Sequence, residues 1–318
     1  MNWTDQKVLV TGGTGFVGGC LAERLAAAGA RVRAIVRRKM DPPGLANVEQ
    51  MEGDFTDPEA ARRAVEGQEI VIHSAASIGG ERDESRRVNA TGTAVLAAAA
   101  RAAGCRRFVH ISTISVYDWA AARAAEPDLA PDAEFDETTP RKGGDGSFAH
   151  SPAATPWYGI TKAEAEQALE REMALGLPAT IIRLGAVLGA HPGSYWAVKI
   201  PTAVRAGKVP LVAGGLGPLP WTHVENLAHA IDLAVADPTA IGRAYNLVDG
   251  HVTLGRYVED VRSWFPDALP APQKDVEEGG TFAERCSSER IRRELGYAPL
   301  RTYEEGMAEA AAWWRARE

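Results

Sequence analysis

The chain has 318 residues and a formal net charge of −7, and its acidic and basic residues are interspersed. It lacks the basic tract of a nucleic-acid-binding protein and the apolar run of a membrane span, and its first predicted strand begins too early for a signal peptide. Its three cysteines, Cys20, Cys105 and Cys286, lie far apart, without the spacing of a metal site or a disulfide framework. We therefore expect a cytoplasmic protein without a metal, a nucleic-acid partner or a membrane partner.

Short apolar segments alternate with helical patterns through the first half of the chain. The strand-like segments are rich in Val and Ile without strict alternation, as expected of strands buried on both faces. They span Lys7–Thr11, Val32–Val36, Val48–Met51, Ile70–His73, Phe108–Ser112 and Thr180–Leu184, and the helices span Phe16–Ala28, Pro58–Glu66, Gly92–Ala103 and Tyr158–Leu175. This alternation predicts an α/β fold with a doubly wound parallel sheet of the Rossmann type.

After about Leu188 the pattern becomes irregular, because Gly and Pro are more frequent and the apolar runs are shorter. Ala244–Val248 has the composition of one more sheet strand, and Glu289–Leu295 and Tyr303–Arg315 have the composition of surface helices. The predicted domains are a dinucleotide-binding domain over 1–188, rejoined by 222–248, and a smaller substrate-binding cap over 189–318.

The segment Asp118–Pro156 interrupts the alternation of strands and helices. It contains five prolines, many acidic residues and the run Gly143-Gly144-Asp145-Gly146. Long segments of this kind inside a compact domain are usually functional lids or disordered. We favour a mobile flap, with disorder as the alternative.

The first predicted strand leads directly into a glycine-rich turn, Gly12-Gly13-Thr14-Gly15-Phe16-Val17-Gly18, and then into a helix. In a dinucleotide-binding turn, Gly12 or Gly13 permits the sharp bend, Gly15 lets the backbone approach the pyrophosphate, and Gly18 lets the helix lie close to the strand. The amides at the start of the helix then face the phosphate charge. The sequence predicts a dinucleotide site, and a tight turn without a ligand is the alternative.

The residues after the second predicted strand bear on the choice of cofactor. NAD-specific proteins usually place an acidic residue here, whereas this chain has Arg37, followed by Arg38. A guanidinium suits a phosphate, so we expect NADP; the alternative is a solvated Arg37 and use of NAD as well. Asp54, after the third strand, is predicted either to accept a hydrogen bond from adenine or to cap the next helix.

Tyr158 and Lys162 are four residues apart at the start of a predicted helix, so their side chains share one face. Hydride transfer at a carbon that bears oxygen requires a matched proton transfer at that oxygen. A nearby ammonium favours the phenolate, which makes tyrosine a usable acid or base. Ser112 and Thr113 are predicted at the carboxyl end of a strand, where a hydroxyl can orient the substrate oxygen.

These features resemble the extended short-chain dehydrogenase/reductase family, of the NAD-dependent epimerase/dehydratase and 3β-hydroxysteroid dehydrogenase type. The resemblance covers nearly the whole chain. It is carried by Thr11–Gly18, Gly53-Asp54, His73–Ala76, Val88–Thr93, Ile111–Tyr117, Tyr158–Lys162, Arg183, Trp221–Leu227 and Glu294–Pro299. The chain departs from the family in the 45 positions that separate Thr113 from Tyr158, and in Leu184, where many relatives have proline.

The resemblance implies three catalytic residues and a homodimer. Tyr158 would be the acid or base, Lys162 its electrostatic partner and a ligand of the nicotinamide ribose, and Thr113 the catalytic hydroxyl. Ala75 and Ala76 would pass under the cofactor, and Asn89 would support the central helix or its water. The full predicted cofactor-binding set is Gly12, Gly15, Phe16, Val17, Gly18, Arg37, Arg38, Asp54, Phe55, Ala75, Ala76, Asn89, Ser112, Tyr158 and Lys162.

Apolar and aromatic residues mark the expected substrate region, which comprises Tyr195–Val198, Leu216–Trp221 and Trp264-Phe265. Such residues favour an apolar carbonyl compound or alcohol over a diphosphate, which usually requires convergent cations; simple core packing is the alternative. We therefore expect an NADP-preferring oxidoreductase. The alternatives are a nucleotide-sugar epimerase or dehydratase with retained NAD and, further off, a non-catalytic dinucleotide sensor.

Four other titratable residues are predicted to have no role in the reaction. His73 and His110 fall in strand patterns and are expected to be hydrogen-bonded core residues. Glu164 and Glu166 are expected to face solvent beside the cofactor helix.

Overall fold

The computed structural model describes residues 1–40, 45–130, 132–143, 156–274 and 284–317. Its centre is a sheet of seven strands: β1 (Lys7–Thr11), β2 (Arg31–Val36), β3 (Glu49–Glu52), β4 (Ile70–His73), β5 (Arg107–Thr113), β6 (Ala179–Leu184) and β10 (Ala244–Leu247). Their order is β10-β6-β5-β4-β1-β2-β3, and all neighbours are parallel. This confirms the predicted α/β fold with a parallel sheet of the Rossmann type.

Helices cover both faces of the central sheet. One face packs against α1 (Phe16–Ala27), α8 (Val224–Ala236) and α10 (Glu289–Leu295), and the other packs against α2 (Pro58–Val65), α4 (Gly92–Ala102) and α6 (Pro156–Ala174). Neighbouring residues of one strand serve opposite faces: Val8 and Val10 belong to the first core and Leu9 to the second. Burial on both faces is the reason that inner strands such as β1 and β4 are rich in Val and Ile.

The C-terminal part builds a second, smaller core. Three short strands, β7 (Ala186–Leu188), β9 (Pro218–His223) and β11 (Gly250–Thr253), form one sheet in the order β11-β9-β7, and β8 (Leu211–Val212) pairs with β12 (Gln273–Lys274). Their apolar side chains pack with α7 (Ile200–Arg205), α9 (Leu254–Arg262) and α11 (Tyr303–Arg315). Within the described ranges, no helix combines the length and the apolarity that a membrane crossing requires.

The described part of the segment 118–156 is folded and anchored. It contains α5 (Trp119–Ala125), and the Asp118 amide donates to the Pro140 carbonyl at 2.8 Å. The Phe135 amide donates to the Arg285 carbonyl at 2.9 Å, which joins the segment to the C-terminal region. Residues 131 and 144–155 lie outside the described residues, so the flap stays a prediction. A short helix, α3 (Arg82–Arg86), and a π-helical turn over Arg87–Thr91 lead into α4.

Candidate active site

The glycine-rich turn between β1 and α1 packs as tightly as its sequence predicts. A Cβ atom on Gly18 would lie 2.4 Å from the Gly12 carbonyl oxygen, and one on Gly12 would lie 3.0 Å from the Ala75 backbone. Among the described residues no side chain caps the start of α1, and its first turn carries no acidic residue. The turn therefore leaves backbone and helix amides available to a phosphate.

A cavity of about 530 Å³ opens beside this turn, at the carboxyl ends of β1, β2, β4 and β5. This is the edge at which doubly wound sheets bind ligands. Twelve predicted site residues line it: Gly12, Gly15, Phe16, Val17, Gly18, Arg37, Asp54, Phe55, Ala75, Ala76, Thr113 and Tyr158. The fold thus brings most of the predicted site to one cavity.

Charged side chains line the cavity near the carboxyl ends of β2 and β3. Arg37 and Arg87 both line it, and Arg87 donates to Asp54 at 2.9 Å and to Glu84 at 2.8 Å. Arg37 is exposed, and no ion pair of its own links it to a carboxylate among the described residues. A phosphate at this end would therefore meet an uncommitted guanidinium in Arg37.

Asp54 does not cap the following helix, so that alternative was wrong. Asp57 caps α2 instead, because its carboxylate accepts a hydrogen bond from the Ala60 amide at 2.8 Å. The Asp54 carboxylate accepts from the Thr56 amide at 2.9 Å, the Thr56 hydroxyl at 2.8 Å and Arg87. Burial opposes its ionisation, but these bonds hold the pKa of Asp54 below its usual range. Its contact with adenine stays a prediction.

Thr113 and Tyr158 meet at the middle of the cavity. Thr113 is the last residue of β5, Tyr158 lies in the first turn of α6, and both residues line the cavity. Burial raises the pKa of Tyr158 to about 12, although the Thr113 hydroxyl lowers it in part. The phenol is therefore neutral near pH 7 and carries a proton that it can donate.

Comparison with known proteins assigns the chain to a family. The sequence profile of the NAD dependent epimerase/dehydratase family matches residues 8–247. The chain belongs to this family. The resemblance predicted from the sequence is thereby confirmed.

Several proteins with sequences similar to this chain are named as oxidoreductases. A 2-alkyl-3-oxoalkanoate reductase of Stenotrophomonas maltophilia is 33% identical over 77% of this chain and 71% of its own. A 3-diazoavenalumate denitrifying reductase of Streptomyces sp is 31% identical over 92% and 96%. A 3 beta-hydroxysteroid dehydrogenase/Delta 5-->4-isomerase of Mycobacterium tuberculosis is 28% identical over 97% and 90%. These similarities support an oxidoreductase.

Solved structures share the fold of this family member over almost its full length. The crystal structure of gox2253 has a TM-score of 0.79 and 25% identity, and the match covers 98% of this chain and 99% of that one. MoeE5 in complex with UDP-glucose and NAD has a TM-score of 0.78 and 23% identity, with coverage of 98% and 99%. At 23% identity, the similarity to MoeE5 supports only a shared fold.

Lys162 does not line the cavity, contrary to the role that the family resemblance implies. Its ammonium contacts His110 Nε2 at 2.9 Å and donates to the Ile111 carbonyl at 2.8 Å. Burial lowers the pKa of Lys162 to about 7, and Glu166 opposes this effect. Although Lys162 shares a helix face with Tyr158, it lies one turn farther along α6, where that face meets β5. In this structure it is a buried partner of β5, and its role toward a cofactor stays a prediction.

Ser112 also differs from its prediction as a neighbouring contact of the site. Its hydroxyl donates to Glu166 at 2.6 Å, and it does not line the cavity. Successive strand residues point to opposite faces, so only one of Ser112 and Thr113 can face the ligand. Glu166 is fully buried, which makes its predicted exposure to solvent wrong. Glu164 remains partly exposed and forms an ion pair with Arg86 at 2.7 Å.

Glu166 is the centre of a buried ionic network that the sequence analysis missed. It accepts hydrogen bonds from Arg183 at 2.7 and 3.0 Å and from Arg141 at 2.9 Å. Arg183 also donates to Tyr117 at 2.7 Å. The network joins β5, α6, β6 and the segment 132–143 directly behind Thr113. The sequence did contain one indication of this network: Glu166 lies four residues after Lys162, and therefore on the same face of the helix.

Two other predicted residues and two histidines lie outside the cavity wall. Asn89 is buried, accepts from the Ser77 amide at 2.8 Å and donates to Thr161 at 2.9 Å, so it ties the β4 loop to α6. Arg38 is exposed and does not line the cavity. His73 and His110 are fully buried; burial lowers the pKa of His73 to about 3 and the pKa of His110 well below its usual range.

The other end of the cavity is apolar. It is lined by Ile78, Trp119, Tyr195, Trp196, Leu219 and Pro220. The predicted contribution of Trp264 and Phe265 is wrong for this cavity, because both belong to the second core. Trp119 was not predicted; it reaches the cavity because the segment after Thr113 folds back over it. Of the described residues that line the cavity, only Arg37 and Arg87 carry a positive charge, and both lie at the opposite end.

Proposed function

We propose that the protein is an NADP-preferring oxidoreductase that interconverts a largely apolar carbonyl compound and its alcohol. The observation that supports it best is the position of the Thr113–Tyr158 pair, between a glycine-lined end and an apolar end of one cavity. A diphosphate-bearing substrate would meet no cation at the apolar end among the described lining residues. This disfavours a nucleotide sugar.

The predicted cofactor supplies or accepts a hydride when it is bound. The residues of this chain then manage the proton. In the reductive direction the Tyr158 phenol donates its proton to the substrate oxygen while the carbonyl carbon receives the hydride, so that C=O becomes CH–OH. Thr113, which lines the same cavity as Tyr158, orients that oxygen. A neutral Tyr158 suits reduction, because no deprotonation must precede the step.

The Tyr158→Phe variant tests the proton transfer. It should lose at least about 100-fold in carbonyl reduction, the usual contribution of a positioned proton donor, and keep its affinity for NADPH within a few-fold. Tyr303→Phe is the control, since Tyr303 bonds Asp260 in the second core and should keep full activity. Activity of Tyr158→Phe within a few-fold of wild type would contradict the assignment.

Arg37 carries the proposed preference for NADP. A guanidinium–phosphate hydrogen bond contributes about 1.5–3 kcal/mol, so Arg37→Asp should weaken NADPH binding at least about 10-fold and NADH binding much less. Arg38→Asp is a matched control, since Arg38 is also exposed but does not line the cavity. Fluorescence titration measures both affinities. If Arg37→Asp keeps the wild-type preference for NADPH over NADH, the Arg37 charge only contacts solvent and does not bind the cofactor.

Mass analysis of nucleotide released from the purified, denatured protein separates the proposal from its alternative. We expect little retained nucleotide and reversible binding of NADPH. Tightly retained NAD would instead indicate an epimerase or dehydratase. The predicted homodimer is a separate proposal, to be measured by light scattering.

A further inference from the structure

The apolar end of the cavity has one wall that comes from the unusually long connection between Thr113 and Tyr158. Trp119, the first residue of α5, lines the cavity, although it is only 8% exposed. Its neighbours in the same small core, Tyr117 and Phe135, do not line the cavity. Trp119 is therefore the aromatic residue through which this core meets a ligand.

Ring contacts hold the Trp119 side chain in place from two sides. Its ring centroid lies 4.9 Å from that of Tyr117 and 5.6 Å from that of Phe135. Arginine guanidinium groups pack on the outer rings, with Arg183 4.9 Å from Tyr117 and Arg123 4.9 Å from Phe135. Such cation–π and aromatic contacts favour one orientation of each ring.

The backbone that carries Trp119 is anchored as well. The Asp118 carboxylate caps α5 by accepting from the Ala121 amide at 3.1 Å. Arg123, on the same helix, binds Glu284 at 2.9 Å. Phe135 exchanges backbone hydrogen bonds with Arg285 and Ser287 at 2.9 and 2.8 Å. The described part of this segment is thus tied to the C-terminal region as a fixed wall.

We propose that Trp119 is the specificity-determining residue of the substrate pocket and limits the bulk of the apolar group beside the substrate carbonyl. This inference rests on the proposed function. A rigid wall discriminates by size, because a ligand that is too large cannot displace it without breaking several contacts at once. Substrates whose apolar group fits in front of the Trp119 ring are admitted, and those whose apolar group would overlap the ring are excluded.

Variants of Trp119 and a matched control test the wall. Trp119→Ala and the milder Trp119→Phe enlarge the pocket, whereas Trp313→Ala removes the same side chain from α11, at a position that does not line the cavity. The substrates are phenyl ketones of increasing size, and the measurement is the ratio of kcat/KM for large and small ketones. We expect this ratio to rise at least about 10-fold in Trp119→Ala, less in Trp119→Phe, and to stay unchanged in Trp313→Ala. NADPH affinity should stay within a few-fold throughout.

A binding measurement keeps this inference separate from the proposed function. The dissociation constants of 2-naphthol and of a three-ring phenanthrenol are measured on NADPH-saturated protein, without turnover. Trp119→Ala should shift their ratio at least about 10-fold toward the larger ring system. An unchanged ratio in both Trp119 variants overturns the inference, even where ketones are reduced. Absence of reduction of every ketone by the wild type contradicts the proposed function, and the binding ratio then still decides the role of Trp119.

Discussion

Replacing Glu166 by Gln should destabilise the protein strongly, because the carboxylate is the only negative charge that faces Arg183 in the described network. Glu166 is fully buried and Arg183 is 3% exposed, and two hydrogen bonds of 2.7 and 3.0 Å join them. Removing one partner of a buried ion pair leaves the other charge uncompensated, which costs about 3–5 kcal/mol. We expect a loss of this size in the free energy of unfolding at pH 7, measured by urea denaturation.

The pH dependence of that loss gives a second check. Burial opposes the ionisation of Glu166, but Arg183, Ser112 and Arg141 outweigh it and hold its pKa below the usual range. The carboxylate therefore stabilises the fold fully above the unfolded pKa of about 4.3, and this stabilisation is lost as the pH falls through the folded pKa. The difference between wild type and Glu166→Gln should be constant from pH 7 to about 5 and shrink only below that.

Glu170→Gln is the matched control. Glu170 binds the same Arg141 at 2.8 Å, but 43% of its side chain is exposed. An exposed pair of this kind contributes at most about 1 kcal/mol. If Glu166→Gln costs no more than Glu170→Gln, the buried network is not what holds β5, α6 and β6 together, and the reasoning fails.

Two further predictions concern the turn and the buried lysine. Gly18→Ala should abolish measurable NADPH binding, because its Cβ would lie 2.4 Å from the Gly12 carbonyl oxygen. Gly143→Ala, whose Cβ meets no described residue within 4 Å, should bind normally. Burial lowers the pKa of Lys162 to about 7, so the folded protein binds fewer protons than the unfolded chain between pH 7 and about 10.4. As the pH rises through that range, the free energy of unfolding of the wild type should therefore increase relative to that of Lys162→Met. If the two free energies change with pH in parallel, the buried position of Lys162 is contradicted.

The sequence located the central sheet closely. Each of its seven strands lies within one residue of the predicted bounds. Burial on both faces explains the Val- and Ile-rich sequences of β1, β4 and β6, whereas the edge strand β3, Glu49-Gln50-Met51-Glu52, is polar and partly exposed. The strand Pro218–His223 was missed for a physical reason: its prolines cannot donate ladder hydrogen bonds and argue against a strand. Here it forms the middle of a short three-stranded sheet.

Side-chain directions were harder to predict than backbone elements. Thr113 and Ser112 are adjacent, and only the pleat of β5 decides which of them faces the cavity. The sequence placed Tyr158 and Lys162 on one helix face, but where each side chain ends depends on what packs one turn along that face. Trp119 could not be assigned at all, since its place depends on contacts with residues 284–287, far along the chain.

Strand β10 has a consequence for how the chain can fold. It pairs with β6 from Ala244 to Leu247, so the central sheet is finished only after residue 247 has been synthesised. Until then β6 is an open edge whose unpaired amides and carbonyls can template another chain. The apolar face that Leu227, Ile231 and Tyr245 cover is open as well. A nascent chain or a fragment that ends near residue 188 is therefore prone to aggregate. The central sheet is protected only once α8 and β10 have folded onto it.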